Sequence, residues 1–135
     1  MNVFDIIGPV MIGPSSSHTA GAVRLGRVAW KILGERAVRA EIQLSGSFAQ
    51  TYQGHGTDKA LVAGIMGMHS DDERIRNSLQ LAQDSGLAVT FQEIQLPGAH
   101  PNTARIALTG QNGGQAVVQG ASVGGGTILV TEING

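Results

Sequence analysis

Apolar residues recur at helical spacing between Thr19 and Leu33, with Leu25, Val28, Ala29, Ile32 and Leu33 on one side and Arg24, Arg27 and Lys31 on another. The spacing predicts an amphipathic helix that stops at Gly34, and its cationic side reads as a solvated face. From Val38 to Leu44 the period becomes two: Val38, Ala40, Ile42 and Leu44 share one face, and Arg39, Glu41 and Gln43 the other. That is a strand with one wet face. Gly54-His55-Gly56-Thr57-Asp58 precedes a second apolar stretch, Ala60 to Met66, whose helix Thr57 or Asp58 would cap. Ser70 and Glu73 have capping-box spacing ahead of Ile75, Leu79 and Ala82, so a further helix is expected from Ser70 to a stop at Gly86.

The last third reads as strands. Leu87, Val89 and Phe91 alternate, and the phase then shifts to Ile94 and Leu96, as a bulged strand would show. Ala104, Ile106 and Leu108 alternate, Asn112-Gly113 supplies hairpin chemistry, and Ala116 to Ser122 returns as the partner strand. A final strand, Thr127 to Ile133, follows Gly124-Gly125-Gly126. Early interspersed helices and a strand-rich end point to an α+β fold with a mixed or antiparallel sheet covered by helices. The 20 glycines gather at punctuation points, and residues 1–135 read as one domain with no internal repeat or linker.

Composition narrows the function. Lys+Arg total 9 against 10 Asp+Glu, and aromatics are 4%, so the chain has neither the basic stripe nor the stacking platforms of a nucleic-acid binder. No apolar run approaches a membrane span, and MNVFDIIGPVM lacks a basic region ahead of an apolar one, so a cytoplasmic protein without a signal peptide is expected. There are no cysteines, which excludes disulfides and thiolate ligands within this sequence. Any metal cluster it serves must be held elsewhere.

Three segments carry candidate chemistry. Gly13-Pro14-Ser15-Ser16-Ser17-His18-Thr19-Ala20-Gly21 sets four hydroxyls and an imidazole at the start of the first predicted helix. Hydroxyls, first-turn N–H groups and the positive end of the helix dipole together suit a carboxylate or phosphate. One serine would serve as an ordinary N-cap; four hydroxyls and a histidine exceed that need. In Gly54-His55-Gly56 the flanking glycines remove neighbouring side chains and let a ligand approach His55, although a tight turn alone also explains them. In His100-Pro101-Asn102-Thr103, Asn102 stands just before a strand, with an amide able to donate and accept, and Pro101 also suits a pre-strand turn.

PSSSHTAG, GHGTD and HPNTA in this order, with FDIIGPVMIGPSSSHTAG at the start and SVGGGTILVTEING at the end, resemble the beta subunit of bacterial iron-sulfur-dependent L-serine dehydratase over essentially the whole chain. The resemblance implies a fold similar to the allosteric substrate-binding domain of some D-3-phosphoglycerate dehydrogenases. It also implies an alpha subunit whose cysteines hold an oxygen-sensitive four-iron [4Fe–4S] cluster, an active site shared between the two, and conversion of L-serine to pyruvate and ammonia. A homodimer is compatible with it. Many family members continue past the ING stretch into an ACT-type regulatory domain, before which this sequence stops.

Dehydrating serine requires removal of its α-proton, and imidazole titrates closest to working pH. His55 is therefore the expected base, as the family's similar GHGTD histidine suggests. Ser15, Ser16, Ser17, His18 and Thr19 are expected to clasp the substrate carboxylate, with Gly54, Gly56, Thr57 and Asp58 lining the histidine loop and Asn102 adding a hydrogen bond. No metal ligand is expected in this chain. Two other readings stay open: a regulatory binding module, which needs no base, and a metal hydrolase built on His18, His55, His100 and Asp58, whose spacing matches no familiar zinc signature.

Overall fold

The structure, a computed structural model, describes residues 17–46, 56–95, 98, 102–124 and 127–134, with the backbone alone at 17, 18 and 124. Ser15, Ser16, Gly54, His55, Leu96 and His100 lie outside the described residues. The elements, in order, are α1 (Ser17–Leu33), β1 (Ala37–Gly46), α2 (Thr57–Ile65), a 3₁₀ turn (Glu73–Asn77), α3 (Ser78–Ser85), β2 (Ala88–Glu93), β3 (Asn102–Gly110), β4 (Gln115–Gly124) and β5 (Thr127–Ile133). The five strands form one sheet in the order β2-β1-β3-β4-β5. Among the described strands, only β1 and β2 pair in parallel. They are joined by a helical crossover, as parallel neighbours require. The fold is α+β with a mixed, open sheet.

One sheet face carries the core. Ala40, Ile42 and Leu44 of β1, Ala104, Ile106 and Leu108 of β3, and Ala116 and Val118 of β4 are buried beneath α1 and α2. The opposite face is polar, with Gln43 donating to Gln92 at 3.4 Å and Arg105 reaching Gln119 at 3.2 Å and Glu132 at 3.4 Å. Helix α1 packs on β3, β4 and β5, while α2 lies between α1 and α3. Every described residue of α2 except Lys59 is buried. Among the described residues, no helix is long and apolar enough to cross a membrane.

Four local expectations are corrected. The cap before α3 is Asp72, two residues after Ser70; its carboxylate accepts the Arg74 N–H at 2.8 Å and opens a 3₁₀ turn. The Arg74 guanidinium also bonds that carboxylate and, more than any other influence, holds its pKa below the ordinary range. The phase shift near Ile94 marks a strand end: β2 pairs without interruption from Ala88 to Glu93, and the Ile94 N–H then donates to the Leu44 carbonyl at 2.9 Å. Neither Thr57 nor Asp58 caps α2. Gly56 occupies that position at φ 77°, a left-handed conformation suited to glycine, and its carbonyl accepts the Ala60 N–H. Finally, Arg27 does more than face solvent. Its guanidinium donates to the Gly67 carbonyl at 2.6 Å and lies 5.6 Å from the Trp30 ring centroid, tying α1 to the end of α2.

The helices meet at two glycines. A Cβ built on Gly26 would collide with the Leu61 carbonyl oxygen, and one on Gly64 with the Val23 carbonyl oxygen and within 3.0 Å of Gly26 Cα. The backbones touch. Gly26 meets Gly64 at the crossing, and further along both segments Trp30 meets Gly67 and shares a groove with Ile65 and Met66, so the two helices run in the same direction. An exposed helical Gly→Ala change stabilises by about 1 kcal/mol through backbone entropy. We expect Gly64→Ala to destabilise by about 1–3 kcal/mol, because the added methyl must separate two packed backbones. Urea denaturation midpoints of the two chains check the sign.

Candidate functional site

The direction of α1 and α2 decides where the sequence motifs meet. At 1.5 Å per residue, Ser17 lies roughly 13 Å and Thr57 roughly 10 Å along the helix axes from the glycine crossing, toward the same end of the molecule. Helix α1 stops at Leu33, where Gly34 adopts φ 75° and its N–H donates to the Trp30 carbonyl. The chain then reverses into β1, so Ser45 and Gly46 return toward the level of Ser17. Gly46 is opposite Asn102, Thr103 opposite Ala121, and Gly124 opposite Thr127. The starts of α1, α2, β3 and β5 and the ends of β1 and β4 therefore share one end. Each segment carrying a sequence motif joins the described fold there.

Polar burial follows the same geometry. Among the described residues, the buried polar side chains are Thr19, Ser45, Thr57, Asp58, Ser78, Asn102, Thr103 and Ser122. Ser78 supports the fold, donating its hydroxyl to the Lys59 carbonyl at 2.6 Å. The other seven all sit at the shared end. Buried polar groups cost free energy unless they are bonded, so their concentration at one end sets that end apart from the apolar core. Asn102, 7% exposed, shares the parity of Ala104, Ile106 and Leu108 and so faces the helix side of the sheet.

Of the sequence-selected residues, the described backbone or side chains of Ser17, His18, Thr19, Gly56, Thr57, Asp58 and Asn102 fall at this end. The first helix opens within the serine run, at Ser17, and its first-turn N–H groups have no intrahelical acceptor. Two helix N-termini facing one way give the end a positive potential suited to an anion. Among the described residues, Asp58 is the buried acidic group within it. Burial pushes its carboxyl above the ordinary value, while the Lys59 N–H, donated to Oδ1 at 2.7 Å, and the Lys59 charge pull it partly back.

Sequence reading passed over Ser45, Thr103 and Ser122. Ser122 had a usable signal, since it continues the apolar-side phase Ala116, Val118, Gly120 with a hydroxyl. A groove of about 600 Å³ lies at the opposite end between Trp30, Gly34, Ala37, Ile65, Met66 and Leu87, away from all the motifs. Among the described residues, no group of three or more His, Cys, Asp or Glu could hold a metal ion.

Comparison with known proteins converges on one family. Residues 2–133 match the family described as "Serine dehydratase beta chain". The chain is 48% identical over 134 residues to the "Probable L-serine dehydratase, beta chain" of Bacillus subtilis, covering 99% of this chain and 60% of that protein. It is 46% identical over 135 residues to the "L-serine dehydratase, beta chain" of Peptoniphilus asaccharolyticus, covering 99% and 61%. Against "L-serine dehydratase 2" of Escherichia coli the identity is 30% over 159 residues, covering 98% of this chain and 34% of that protein. The chain thus spans about three fifths of the two beta chains it matches.

The buried carboxyl gives a pH test. Because folding raises the Asp58 pKa, its contribution is most favourable below the unfolded-state pKa and is lost as pH rises through the folded-state value. The stability of the chain relative to Asp58→Asn should therefore fall from acid to neutral pH. Paired urea titrations across that range check it; a difference that stays constant, or that grows in favour of Asp58, contradicts the burial argument.

Proposed function

The chain belongs to the serine dehydratase beta chain family, and from that premise we propose that it forms the substrate-clasping, proton-removing part of an L-serine dehydratase. The observation that supports this most is the meeting of both helix N-termini with seven buried polar side chains at the end where the PSSSHTAG, GHGTD and HPNTA segments join the fold. In this reading, first-turn N–H groups of α1 and the hydroxyls of Ser15, Ser16, Ser17 and Thr19 hold the substrate carboxylate, with His18 orienting that loop. Asn102 adds a hydrogen bond from the sheet. Gly54 and Gly56 leave room beside His55, while Thr57 and Asp58 begin the helix behind it. His55, as neutral imidazole, takes the α-proton.

A four-iron cluster does not fit the donor set of this chain. It has no thiolate, and its described residues hold no grouping of metal ligands. We assign the cluster to the alpha subunit, in keeping with the words "beta chain" in the names of the relatives, and the part played by this chain's own residues stops at carboxylate binding and proton removal. L-Serine, pyruvate and ammonia, and cytoplasmic residence, belong to the same proposal.

The test is a pyruvate assay with L-serine on the anaerobically assembled alpha–beta protein. The pure beta chain should form no pyruvate. In the assembled protein, His55→Ala should lower kcat by about 10²–10⁴-fold, the usual worth of a positioned base. Unchanged turnover by His55→Ala would leave the end of the molecule as a regulatory anion site, which needs no base.

A further inference from the structure

We propose that Ser122 is a substrate-contacting residue whose hydroxyl donates to the carboxylate held at the start of α1; this deepens the functional reading above and rests on it. Ser122 is 0% exposed, and its Oγ has no hydrogen-bond partner among the described residues. It stands on the helix-facing side of β4. The register pairs Thr103 with Ala121, so one step further along the sheet Ser122 comes beside Asn102, which faces the same side. Antiparallel neighbours of this kind carry their Cβ atoms within about 5.5 Å of each other.

Above Ser122 lies the second turn of α1. A Cβ on Gly21 would sit 2.8 Å from the Ser122 Cβ and collide with its Oγ, so glycine at 21 lets the helix start press onto this hydroxyl. The packing asks only for a small residue. The adjacent inward position in β4 is Gly120, where a Cβ would lie 2.7 Å from Leu25 Cδ1, and Ala116 serves further along the same side. Alanine would satisfy position 122 without burying a hydroxyl, which costs free energy when it lacks a partner. A fully buried hydroxyl without a partner among the described residues, on the sheet face beneath the opening turns of α1, is placed to donate to a group held at that helix start. The positive helix end selects an anion, and a hydroxyl donor suits a carboxylate oxygen.

Ser122→Ala in the assembled alpha–beta protein separates contact from packing. We expect the urea midpoint of the beta chain to stay level or rise, the KM for L-serine to rise roughly 10- to 100-fold as for a lost bond to a charged group, and the Kd for L-serine by calorimetry to rise in parallel. Unchanged KM and Kd overturn the proposal and leave Ser122 as a spacer beneath α1. A lowered midpoint or a variant that fails to fold also overturns it, since the hydroxyl would then be bonded within the fold. Calorimetry keeps the two readings apart. Wild-type protein that binds L-serine without forming pyruvate contradicts the dehydratase reading, while the shift in Kd still decides Ser122; wild-type protein that does neither overturns both.

Discussion

Contact between two helix backbones at Gly26 and Gly64 sets the geometry of the rest of the molecule. Side chains normally hold packed helices 8–10 Å apart, and a glycine on each side removes that spacer. The close approach lets α2, a nine-residue helix buried on almost every side, fit between α1 and α3 above the sheet. The chain path through the parallel strands β1 and β2 sets the sense in which the two helices run. Parallel helices present their N-termini together, and this brings two distant stretches of sequence to one end. Arg27 reinforces the arrangement from the far side of the crossing through the Gly67 carbonyl and the Trp30 ring.

Apolar and polar burial are divided between the two ends of the molecule. Away from the motif end, the described interior is almost wholly Ala, Val, Leu and Ile, and among the described residues the one buried polar side chain there, Ser78, is bonded to a backbone carbonyl. That half supplies the burial that folds the chain. The motif end gives up apolar packing for hydroxyls, an amide and a carboxyl, and the raised pKa of Asp58 is a direct sign of the cost of desolvation there. Such local conflict between stability and polarity is characteristic of functional sites. With no cysteine in the sequence, the polarity of this end comes from hydroxyls, an amide and a carboxyl and not from thiols.

Much of the fold was legible because burial here is periodic. The α1 stripe, the inward faces of β1, β3 and β4, the Asn112-Gly113 turn and the span of β5 all follow from local pattern. The misread starts have local causes as well. Asp72 displaced Ser70 as a cap because a carboxylate that also pairs with Arg74 is a stronger acceptor than a hydroxyl. Gly56 displaced Thr57 and Asp58 because the chain enters α2 through a left-handed residue. The apparent bulge after Phe91 was a strand ending, since phase alone does not distinguish an inserted residue from the last residue of a ladder.

By itself, the sequence determined the element types, the α+β class and which side of each element is apolar, because these depend on residues a few positions apart. It also marked the serine run as exceeding the needs of a helix cap, and singled out the glycine-flanked histidine loop and Asn102 as candidates that a turn alone would also explain. Only the tertiary structure decided that their flanks share one end, that β1 has a parallel neighbour on one side and an antiparallel one on the other, and that Ser122 belongs beneath α1. Those outcomes depend on which backbones come into contact. Gly26 and Gly64 look like ordinary weak points in two helices until each is seen to occupy the space that the other leaves open.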